Sequence, residues 1–401
     1  MNIRTIFLLV VFTSLVSFLR ADEDGADIPL EAPDGWPGET IAIPPVFAPD
    51  MKLRGVEKIR FAPGMFKPES DAFFSYVFVF RLGAKENLPL KTVEKEILAE
   101  VGAQLLTADC HNEEDIIRAT QDADGILVAL SPITRRVIAT WKRTKVIARY
   151  GIGVDTVDLQ AATDHGVFVT NTPDFCFDEV SDTTMSLILA ATRKVVKMHK
   201  LVSQGTYNRK LAKPLYKLRG QILGLVAFGH IAQAVAKKAT VFGFQLRAYD
   251  PYIRSSDFAD CPIEFVELDT LMKESDVVSI HAPLTKETFH LIGEQQLRMM
   301  KSTAFLINTS RGPVVDQKSL TQALREGWIT GAGLDVLEKE PPDPQDPILK
   351  LENVVFTPHY GSYTEEAYLE LREKAARQVV QTLRGEVPTS LVNRDVVNRK
   401  N

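Results

Sequence analysis

Cysteine is scarce in this chain, since Cys110, Cys176 and Cys261 are the only three among 401 residues. They lie far apart, form no CxxC pair and are odd in number, so neither a disulfide framework nor a cysteine-ligated zinc site is indicated. Isolated cysteines of this kind are usually small core residues, and we interpret all three in that way. The sequence accordingly predicts no metal site.

A surplus of positive charge is lacking as well. The chain holds 47 Lys and Arg against 52 Asp and Glu, which gives a formal net charge of −5. Because proteins that follow a nucleic-acid backbone need a basic surface, a nucleic-acid partner is not expected. The hydrophobic fraction of 45% and the charged fraction of 25% are ordinary for an α/β protein with room for two domains.

A hydrophobic run of membrane-spanning length is also missing. The apolar run Thr5–Leu19 is shorter than the roughly 20 residues of a transmembrane helix. It is typical of the h-region of a signal peptide that would end at Ala21, so residues 1–21 are predicted to be a signal-like segment without stable membrane insertion after its removal. An uncleaved anchor and a misassigned start codon are the alternatives, because Leu19 occupies a position that favours a small side chain.

The character of the chain changes after this segment. Residues 22–75 hold seven prolines between Pro29 and Pro63 and show little periodicity, which predicts an irregular extension. From Tyr76 onward, short apolar runs alternate with amphipathic stretches, which predicts parallel βαβ units. The predicted strands are 76–80, 104–107, 125–129, 145–148 and 167–170, and the predicted helices are 92–101, 113–120 and 181–194.

A second series of strands and helices starts at Gln221. Within it, the segment Gly224–Ala232 joins a strand to a helix, where free backbone N–H groups at the helix start can receive a dinucleotide pyrophosphate. Asp250 ends the next strand, where a carboxylate reads ribose hydroxyls and repels a 2′-phosphate. The predicted strands are 222–228, 245–249, 276–280, 304–308, 331–335 and 353–356, and the predicted helices are 231–242 and 365–384.

This fingerprint departs from the usual glycine pattern at two places. Ala227 replaces the glycine of the tight turn, and Ala232 replaces the third glycine, which only has to allow close helix–strand packing. Gly229, where the backbone approaches the phosphates, is present. On this segment alone, a dinucleotide site and an ordinary strand–glycine–helix turn are about equally good interpretations.

Further motifs occur in a fixed order along the chain, and together they identify a family. From about Tyr76 to Arg384 the chain resembles the D-isomer-specific 2-hydroxyacid dehydrogenase family, which includes phosphoglycerate dehydrogenases, glyoxylate/hydroxypyruvate reductases and the C-terminal-binding-protein co-repressors. The motifs that carry the resemblance are Arg149-Tyr-Gly-Ile-Gly-Val-Asp155, Asn171-Thr-Pro173, His281-Ala-Pro-Leu-Thr285, Ile307-Asn-Thr-Ser-Arg-Gly-Pro-Val-Val-Asp316, Gly333-Leu-Asp-Val-Leu-Glu-Lys-Glu-Pro341 and Thr357-Pro-His359.

The resemblance implies two doubly wound, parallel-sheet α/β domains with the active site in the cleft between them. A flavodoxin-like substrate domain would comprise residues 76–175 and 359–395. A Rossmann NAD-binding domain would be inserted at residues 176–358. The strand at 76–80 would then be the first strand of the substrate domain.

The resemblance also implies a catalytic set of Arg311, Glu340 and His359. Histidine titrates near neutrality, so His359 is the expected acid/base, and a paired Glu340 would orient its ring and favour its protonated form. Arg311 would hold the substrate carboxylate and polarise the keto oxygen. The backbone N–H groups expected to complete the carboxylate site are those of Ile152, Gly153 and Val154.

The expected cofactor is NAD. Asp335 is expected at the nicotinamide amide, and His230 stands where an arginine is common, so a fixed positive charge near the pyrophosphate is missing. The residues that the resemblance and the fingerprint place at the cofactor are Gly229, His230, Ile231, Asp250, Thr309, Ser310, Arg311, Asp335 and His359.

The predicted function is the interconversion of a small D-2-hydroxy acid and its 2-keto acid by a homodimeric enzyme. One alternative is an NAD(H)-sensing binding protein of the co-repressor type with little turnover, and another is a degenerate exported protein without a cofactor. Localisation is open, because the signal-like segment suggests export while nicotinamide cofactors are a cytoplasmic resource. No recognisable regulatory domain follows Arg384, which disfavours a serine-pathway enzyme carrying one.

Overall fold

The computed structural model describes residues 4–9, 38–43, 55–61, 76–82, 93–253 and 262–399. The chain divides into two compact units: the first comprises Met1–Tyr150, Asp158–Thr170 and Arg372–Asn401, and the second comprises Gly151–Val157 and Asn171–Leu371. The second unit thus extends beyond the predicted range 176–358. It includes His359 and the segment that carries Gly153.

The secondary structure alternates between strands and helices. The strands are β1 (Arg4–Leu9), β2 (Gly38–Ile43), β3 (Gly55–Phe61), β4 (Tyr76–Leu82), β5 (Ala103–Ala108), β6 (Gly125–Val128), β7 (Val146–Arg149), β8 (Phe168–Thr170), β9 (Ile222–Val226), β10 (Gln245–Tyr249), β11 (Ile263–Phe265), β12 (Val277–Ile280), β13 (Phe305–Asn308), β14 (Gly331–Leu334) and β15 (Val354–Phe356). The helices are α1 (Val93–Ala99), α2 (Glu113–Thr120), α3 (Arg135–Ile138), α4 (Leu159–Asp164), α5 (Phe177–Thr192), α6 (Val195–Ser203), α7 (His230–Val241), α8 (Leu268–Glu274), α9 (Glu294–Met299), α10 (Gln317–Glu326), α11 (Glu365–Leu383) and α12 (Asp395–Arg399).

The first unit contains a five-stranded parallel sheet in the order β5-β1-β6-β7-β8. Numbered along the chain, this order is 2-1-3-4-5, which is that of flavodoxin-like folds. Strands β6 and β7 are buried along their whole length, as expected for a parallel sheet covered on both faces. Their apolar side chains join those of α1 and α11 in one core, represented by Leu98, Leu127, Val146 and Val379.

The position of β1 corrects the prediction that Tyr76–Leu82 begins this sheet, while the signal-like segment stays a prediction. Residues 4–9, assigned from sequence to a signal-like segment, form the strand between β5 and β6, with Ile6 in register with Leu105 and Gly125. Tyr76–Leu82 is a strand, as predicted, but it does not begin this sheet. Both segments are short apolar runs of the kind that a buried parallel strand requires, so composition cannot decide between them.

Part of the predicted irregular extension is also regular. Strands β2 and β3 pair antiparallel, and β3 pairs antiparallel with β4, which gives a separate three-stranded sheet. The prolines that suggested an irregular chain lie outside the three strands. Residues 10–37, 44–54 and 62–75 lie outside the described residues, so the predictions made for them are not addressed.

The second unit contains a seven-stranded parallel sheet in the order β11-β10-β9-β12-β13-β14-β15. Along the chain this order is 3-2-1-4-5-6-7, the Rossmann order with one strand added. The order reverses between β9 and β12, and ligands of such sheets bind at the carboxyl ends of the strands beside this point. Two buried clusters cover the faces of the sheet, one around Leu306 and Ile280 and the other around Leu225 and Phe228.

Several helices of the described residues begin at a side chain that accepts a hydrogen bond from the first turn. Asn112, Asp158 and Asp316 do so for α2, α4 and α10. Gly229, which precedes α7, has no side chain to fill this role. Among the described residues, no helix combines the length and the apolar character needed to cross a membrane.

Candidate active site

The site residues predicted within the second unit's sheet follow the carboxyl ends of its strands. Gly229 follows β9, Asp250 follows β10 and Arg311 follows β13. Glu340 lies on the loop after β14, and His359 lies after β15. Because carboxyl ends of parallel strands meet at one edge of a sheet, residues distant in sequence are brought to the same edge.

His359 and Glu340 form a direct pair. Nδ1 of His359 is 2.6 Å from Oε2 of Glu340, and the two side chains are 29% and 32% exposed. The other oxygen of Glu340 accepts the N–H of Leu337 at 2.8 Å. Since Nδ1 faces the carboxylate, Nε2 is the ring nitrogen left for a substrate.

The Glu340 carboxylate is held in its ionised form. Burial raises its pKa, whereas the hydrogen bond and the positive charge of His359 lower it. The Leu337 N–H and the charge of Arg311 also lower it, and the net result is a pKa below the ordinary 4.5. An ionised carboxylate facing Nδ1 stabilises an imidazolium, which is the form that can donate a proton to a keto oxygen.

The guanidinium of Arg311 lies next to Gly153, which has no side chain to obstruct it. A Cβ placed on Gly153 would be 2.1 Å from Nη2 of Arg311, so a larger residue there would displace the guanidinium. Nε of Arg311 donates to Oδ1 of Asp155 at 3.1 Å, and Nη1 donates to the Ser310 carbonyl at 2.9 Å. These bonds fix the plane of the guanidinium, which suits two-pronged binding of a carboxylate.

The segment that supplies Gly153 is held by the chain that follows β8. Nδ2 of Asn171 donates to the Ile152 carbonyl at 2.7 Å, and the Thr172 N–H donates to the Gly151 carbonyl at 3.0 Å. The Val157 N–H donates to the Val154 carbonyl. The loop beside Arg311 is thus held by hydrogen bonds, and it contains the predicted carboxylate-binding residues Ile152, Gly153 and Val154.

Asp335 is buried and holds the loop that carries His359. Its Oδ1 accepts the Thr357 hydroxyl at 2.6 Å and the Tyr360 N–H at 3.1 Å, and its Oδ2 accepts the Gly361 N–H at 3.0 Å. Its backbone carbonyl accepts the His359 N–H. The described contacts of this carboxylate all lead to the histidine loop, and the predicted contact with the nicotinamide amide stays a prediction.

The loop between β9 and α7 fits a dinucleotide. A Cβ on Gly229 would meet nothing within 4 Å, so the space before the start of α7 is open. Intrahelical bonding begins with the Gln233 N–H, which donates to the Gly229 carbonyl. The N–H groups of His230 and Ile231 therefore precede the first intrahelical bond, as a pyrophosphate site at a helix start requires.

Ala227 occupies the tight turn of this loop in the left-handed region, with φ of +67°. This is the conformation that favours glycine, and it explains why glycine is usual at this place. The Ala227 N–H is bonded to the Tyr249 carbonyl at 2.8 Å, so the turn forms despite the strain. The alanine that replaces the glycine thus takes the left-handed conformation of the tight turn.

The remaining predicted cofactor residues border the same edge of the sheet. Asp250 accepts the Phe228 N–H at 2.9 Å and the Tyr252 N–H at 2.9 Å, so its carboxylate is fixed beside the loop. Ser310 is bonded to Asn308, and the Thr309 hydroxyl is 2.8 Å from that of Thr184. His230 is exposed, and its ring centroid is 5.0 Å from that of Phe177.

His281 is a second histidine at the edge of this sheet. Its Nε2 is 2.9 Å from the Ser279 hydroxyl, and burial lowers its pKa to about 3. A ring that is neutral throughout the physiological range cannot supply a proton as an imidazolium. His359 is therefore the better acid/base candidate of the two.

Three residues with a positioning role were not singled out from the sequence. Asp155 fixes Arg311, Asn171 fixes the Ile152 segment, and Thr357 fixes Asp335. All three belong to the motifs that carry the family resemblance. Their positioning roles depend on hydrogen-bond partners, which the sequence does not show.

The chain is similar to known dehydrogenases and reductases. The family described as D-isomer specific 2-hydroxyacid dehydrogenase, NAD binding domain, matches residues 185–361. A glyoxylate reductase of Korarchaeum cryptofilum is 45% identical over 289 residues, which are 70% of this chain and 86% of the relative.

Two solved structures are similar in fold. The D-lactate dehydrogenase of Aquifex aeolicus, complexed with NAD and lactic acid, has a TM-score of 0.67 at 28% identity, covering 76% of this chain and 94% of that one. The NADPH-dependent glyoxylate/hydroxypyruvate reductase of Sinorhizobium meliloti, in complex with NADP and malonate, has a TM-score of 0.68 at 27% identity, covering 75% of this chain and 93% of that one.

The Rossmann order of the second unit and the matching NAD-binding family define a nicotinamide-dependent dehydrogenase whose cofactor is NAD. The chain belongs to the D-isomer-specific 2-hydroxyacid dehydrogenase family. The predictions of family, fold class, enzyme class and cofactor are thereby confirmed.

Proposed function

We propose that this enzyme reduces a small 2-keto acid to the D-2-hydroxy acid, with His359 and Glu340 as the acid–base pair and Arg311 as the carboxylate anchor. The observation that carries the proposal is the 2.6 Å contact between Nδ1 of His359 and Oε2 of Glu340, which leaves Nε2 for the substrate. The guanidinium of Arg311 follows β13 at the same sheet edge and is fixed by Asp155.

The chemistry follows from these positions. NADH, when bound, supplies a hydride to C2 of the keto acid. His359 donates its Nε2 proton to the keto oxygen, so that C=O becomes CH–OH and the ring is left neutral. Glu340 keeps the ring oriented and favours its protonated form before the transfer. The ring is reprotonated from solvent, and the reverse sequence oxidises the hydroxy acid.

Arg311 and the loop around Gly153 define the substrate class. A planar guanidinium binds a carboxylate through two parallel hydrogen bonds, and the backbone N–H groups of residues 152–154 add further donors. A 2-keto acid places its keto oxygen next to that carboxylate, within reach of the same cation. Glyoxylate is the proposed substrate, since the relative from Korarchaeum cryptofilum, 45% identical, is a glyoxylate reductase.

We further propose that NADP is a poor cofactor. Asp250 is held by two backbone N–H groups at the end of β10, where a ribose 2′-hydroxyl is read. A fixed carboxylate accepts a hydrogen bond from this hydroxyl and repels a 2′-phosphate. The Asp250→Ala variant should therefore narrow the preference for NADH over NADPH by about tenfold, which is about 1.4 kcal/mol.

The proposed homodimer has a candidate surface. Helix α6 has no buried residue, and its side chains Val195 and Val202 are 55% and 46% exposed. Leu211 and Tyr207 continue the exposed apolar surface along the next segment. Exposed apolar side chains of this kind are what a second copy of the chain would cover. Light scattering should give a dimer for the native protein and a monomer for the Val195→Glu/Val202→Glu variant.

The test of the proposed reaction is NADH oxidation by the purified protein against glyoxylate, hydroxypyruvate and pyruvate. Turnover with at least one of these acids is expected, and a stereospecific assay of the product should give the D-isomer where the product is chiral. Tight NADH binding without turnover on any of them would favour the sensor alternative. A calorimetric titration that shows no NADH binding would remove the enzyme proposal altogether.

A further inference from the structure

The loop that carries Glu340 forms a second imidazole–carboxylate pair. Oε1 of Glu338 is 3.0 Å from Nε2 of His290, and the ring of His290 stacks on Phe289 with 4.0 Å between centroids. Glu338 stands two residues before Glu340 in the chain. The proposed reaction does not use this second pair for proton transfer, so the pair has a different role.

The other contacts of Glu338 lead to the segment that follows Arg311. Oε2 of Glu338 accepts the N–H of Gln317 at 3.0 Å, and the Glu338 N–H donates to Oε1 of Gln317 at 2.9 Å. Nε2 of Gln317 donates to Oδ2 of Asp346 at 2.8 Å, which fixes the orientation of the amide. Reciprocal bonds thus join the loop of Glu340 to the start of α10.

His290 provides a second route to the same segment. Its N–H donates to the Pro313 carbonyl at 2.8 Å, and the N–H of Ile292 donates to the Val314 carbonyl at 3.1 Å. The backbone around His290 is therefore hydrogen-bonded to residues 313–314, which follow Arg311. Because the Glu338 carboxylate binds the ring of His290, it is also connected to the Arg311 loop through these backbone bonds.

The two loops also touch directly at a glycine. A Cβ on Gly312 would lie 1.9 Å from the Leu337 carbonyl oxygen and 2.5 Å from the Glu338 nitrogen. Residue 312 follows Arg311, and Leu337 donates its N–H to Glu340. A shift of one loop relative to the other would therefore change the separation between the Arg311 and Glu340 side chains.

We propose that Glu338 is a positioning residue that locks the Arg311 loop to the Glu340 loop through Gln317 and His290. The lock sets where the carboxylate anchor lies relative to the acid–base pair. The inference rests on the proposed function, because it assigns a task to Glu338 in that same site. A displacement of about 1 Å between reacting groups can lower the rate by about 100-fold, so such a lock has a measurable effect.

The test compares Glu338→Ala with Glu338→Gln in steady-state reduction of glyoxylate by NADH. Glu338→Ala removes both side-chain bonds, and we expect kcat to fall about 10- to 100-fold with a rise in the KM of glyoxylate. The dissociation constant of NADH should stay within twofold, because the loop at Gly229 and Asp250 lies outside this network. Glu338→Gln keeps an acceptor for the Gln317 N–H and should recover most of the lost activity.

Two more variants separate positioning from a general loss of structure. Gln317→Ala breaks the same link from the other side, so the double variant with Glu338→Ala should be little worse than either single variant. Glu294→Ala is the matched control, since Glu294 pairs with Arg298 within α9 at 2.8 Å. The control should keep kcat and KM within twofold.

Hydrogen exchange gives a readout that does not require turnover. The Leu337 N–H is bonded to Glu340, so its exchange reports whether that carboxylate is still in place. Exchange in residues 335–341 should rise at least about tenfold in Glu338→Ala and not in the Glu294→Ala control. If the native protein reduces no keto acid, the proposed function fails and this exchange experiment alone decides the inference.

The inference is overturned if Glu338→Ala keeps kcat, KM and exchange within twofold of the native protein. It is also overturned if all variants lose thermal stability equally while kcat, measured well below the transition, is unchanged. Should Glu338→Ala not fold, the pair Glu338→Gln and Gln317→Ala decides in its place. A drop in kcat for Gln317→Ala alone would then support the lock, and unchanged kcat for both would refute it.

Discussion

The two imidazole–carboxylate pairs of the second unit are alike in backbone and exposure but differ in what their atoms are bound to. His290 and His359 both have φ of +53°, and the four side chains are all between 29% and 34% exposed. In the pair with Glu340, the carboxylate binds Nδ1 and leaves Nε2 of the ring for a substrate. In the pair with Glu338, the carboxylate binds Nε2 itself and also holds the Gln317 N–H.

A histidine and a glutamate within hydrogen-bond distance of each other do not by themselves define an acid–base pair. Each carboxylate accepts one backbone N–H, from Leu337 for Glu340 and from Gln317 for Glu338, so this bond does not separate the pairs. What distinguishes the two pairs is the ring nitrogen that faces the carboxylate. A carboxylate at Nδ1 leaves Nε2 for chemistry, whereas a carboxylate at Nε2 occupies that nitrogen.

The largest expected effect is that of His359→Ala. Loss of the proton donor should lower kcat for glyoxylate reduction by about 10²- to 10⁴-fold, which is the usual contribution of general acid catalysis. NADH binding, measured by fluorescence or calorimetry, should change little. Activity equal to that of the native protein would mean that the two histidine pairs had been assigned the wrong way round.

Glu340→Gln should have a smaller effect than His359→Ala. The amide can still accept from Nδ1, so the ring stays oriented, and we expect a loss of about tenfold in kcat at pH 7. Steady-state reduction of glyoxylate measures this loss. Unchanged kcat would show that the Glu340 charge does not act in the reaction.

The same carboxylate predicts a pH dependence of stability. Its pKa lies below the ordinary 4.5 in the folded protein, so its contribution is present above that value and is lost as the pH falls through the folded pKa. The difference in free energy of unfolding between the native protein and Glu340→Gln should therefore shrink as the pH falls below 4.5. Urea titrations at pH 7 and at pH 3.5 measure this difference.

His290→Ala should have an effect of about three- to tenfold on kcat. It removes one of the two routes from Glu338 to the Arg311 loop, while the reciprocal bonds with Gln317 remain. Steady-state reduction of glyoxylate by NADH measures this effect. A loss as large as that of His359→Ala would mean that His290 does more than position a loop.

Ala227→Gly is expected to have the smallest effect. Ala227 has a positive φ, as the two histidines do, but its methyl group has no role in the proposed reaction. Glycine should therefore relieve a backbone strain of about 1 kcal/mol without removing a contact that the reaction needs. NADH binding should be unchanged or up to about fivefold tighter, as that energy allows. Weaker binding would mean that the methyl group itself supports the turn.

The strands of the second unit were predicted more completely than those of the first, in which β5 to β8 were also expected within one residue of their starts. Each strand from β9 to β15 was expected within two residues of its observed start, except the three-residue β11, which is too short to show a periodicity. In the first unit, β1 was assigned to a signal-like segment, because an apolar run near the N-terminus fits both descriptions. Tyr76–Leu82 was then placed in a sheet to which it does not pair.

The candidate site was predictable in its residues but not in its connections. His359, Glu340 and Arg311 follow from the chemistry that a 2-hydroxy acid requires and from the motifs that surround them. The links made by Asp155 and Glu338 depend on which loops approach each other, and spacing along the chain does not give that. Asp335 illustrates the limit, since its observed partners are the loop of Thr357 and Gly361.

The division of the first unit along the chain has a consequence for its synthesis. Its core combines Leu98, Leu127 and Val146 with Ala376 and Val379 of α11, so it lacks part of its apolar cover until residues beyond 372 have left the ribosome. At 5–20 residues per second, the roughly 200 residues in between take about 10–40 s to make. During that time the apolar side chains of this core lack the cover of α11. The sheet from β9 to β15, in contrast, is translated as one continuous stretch. We expect ribosome-arrested chains ending near residue 360 to be cleaved by protease within residues 93–170 and to be protected within residues 222–330.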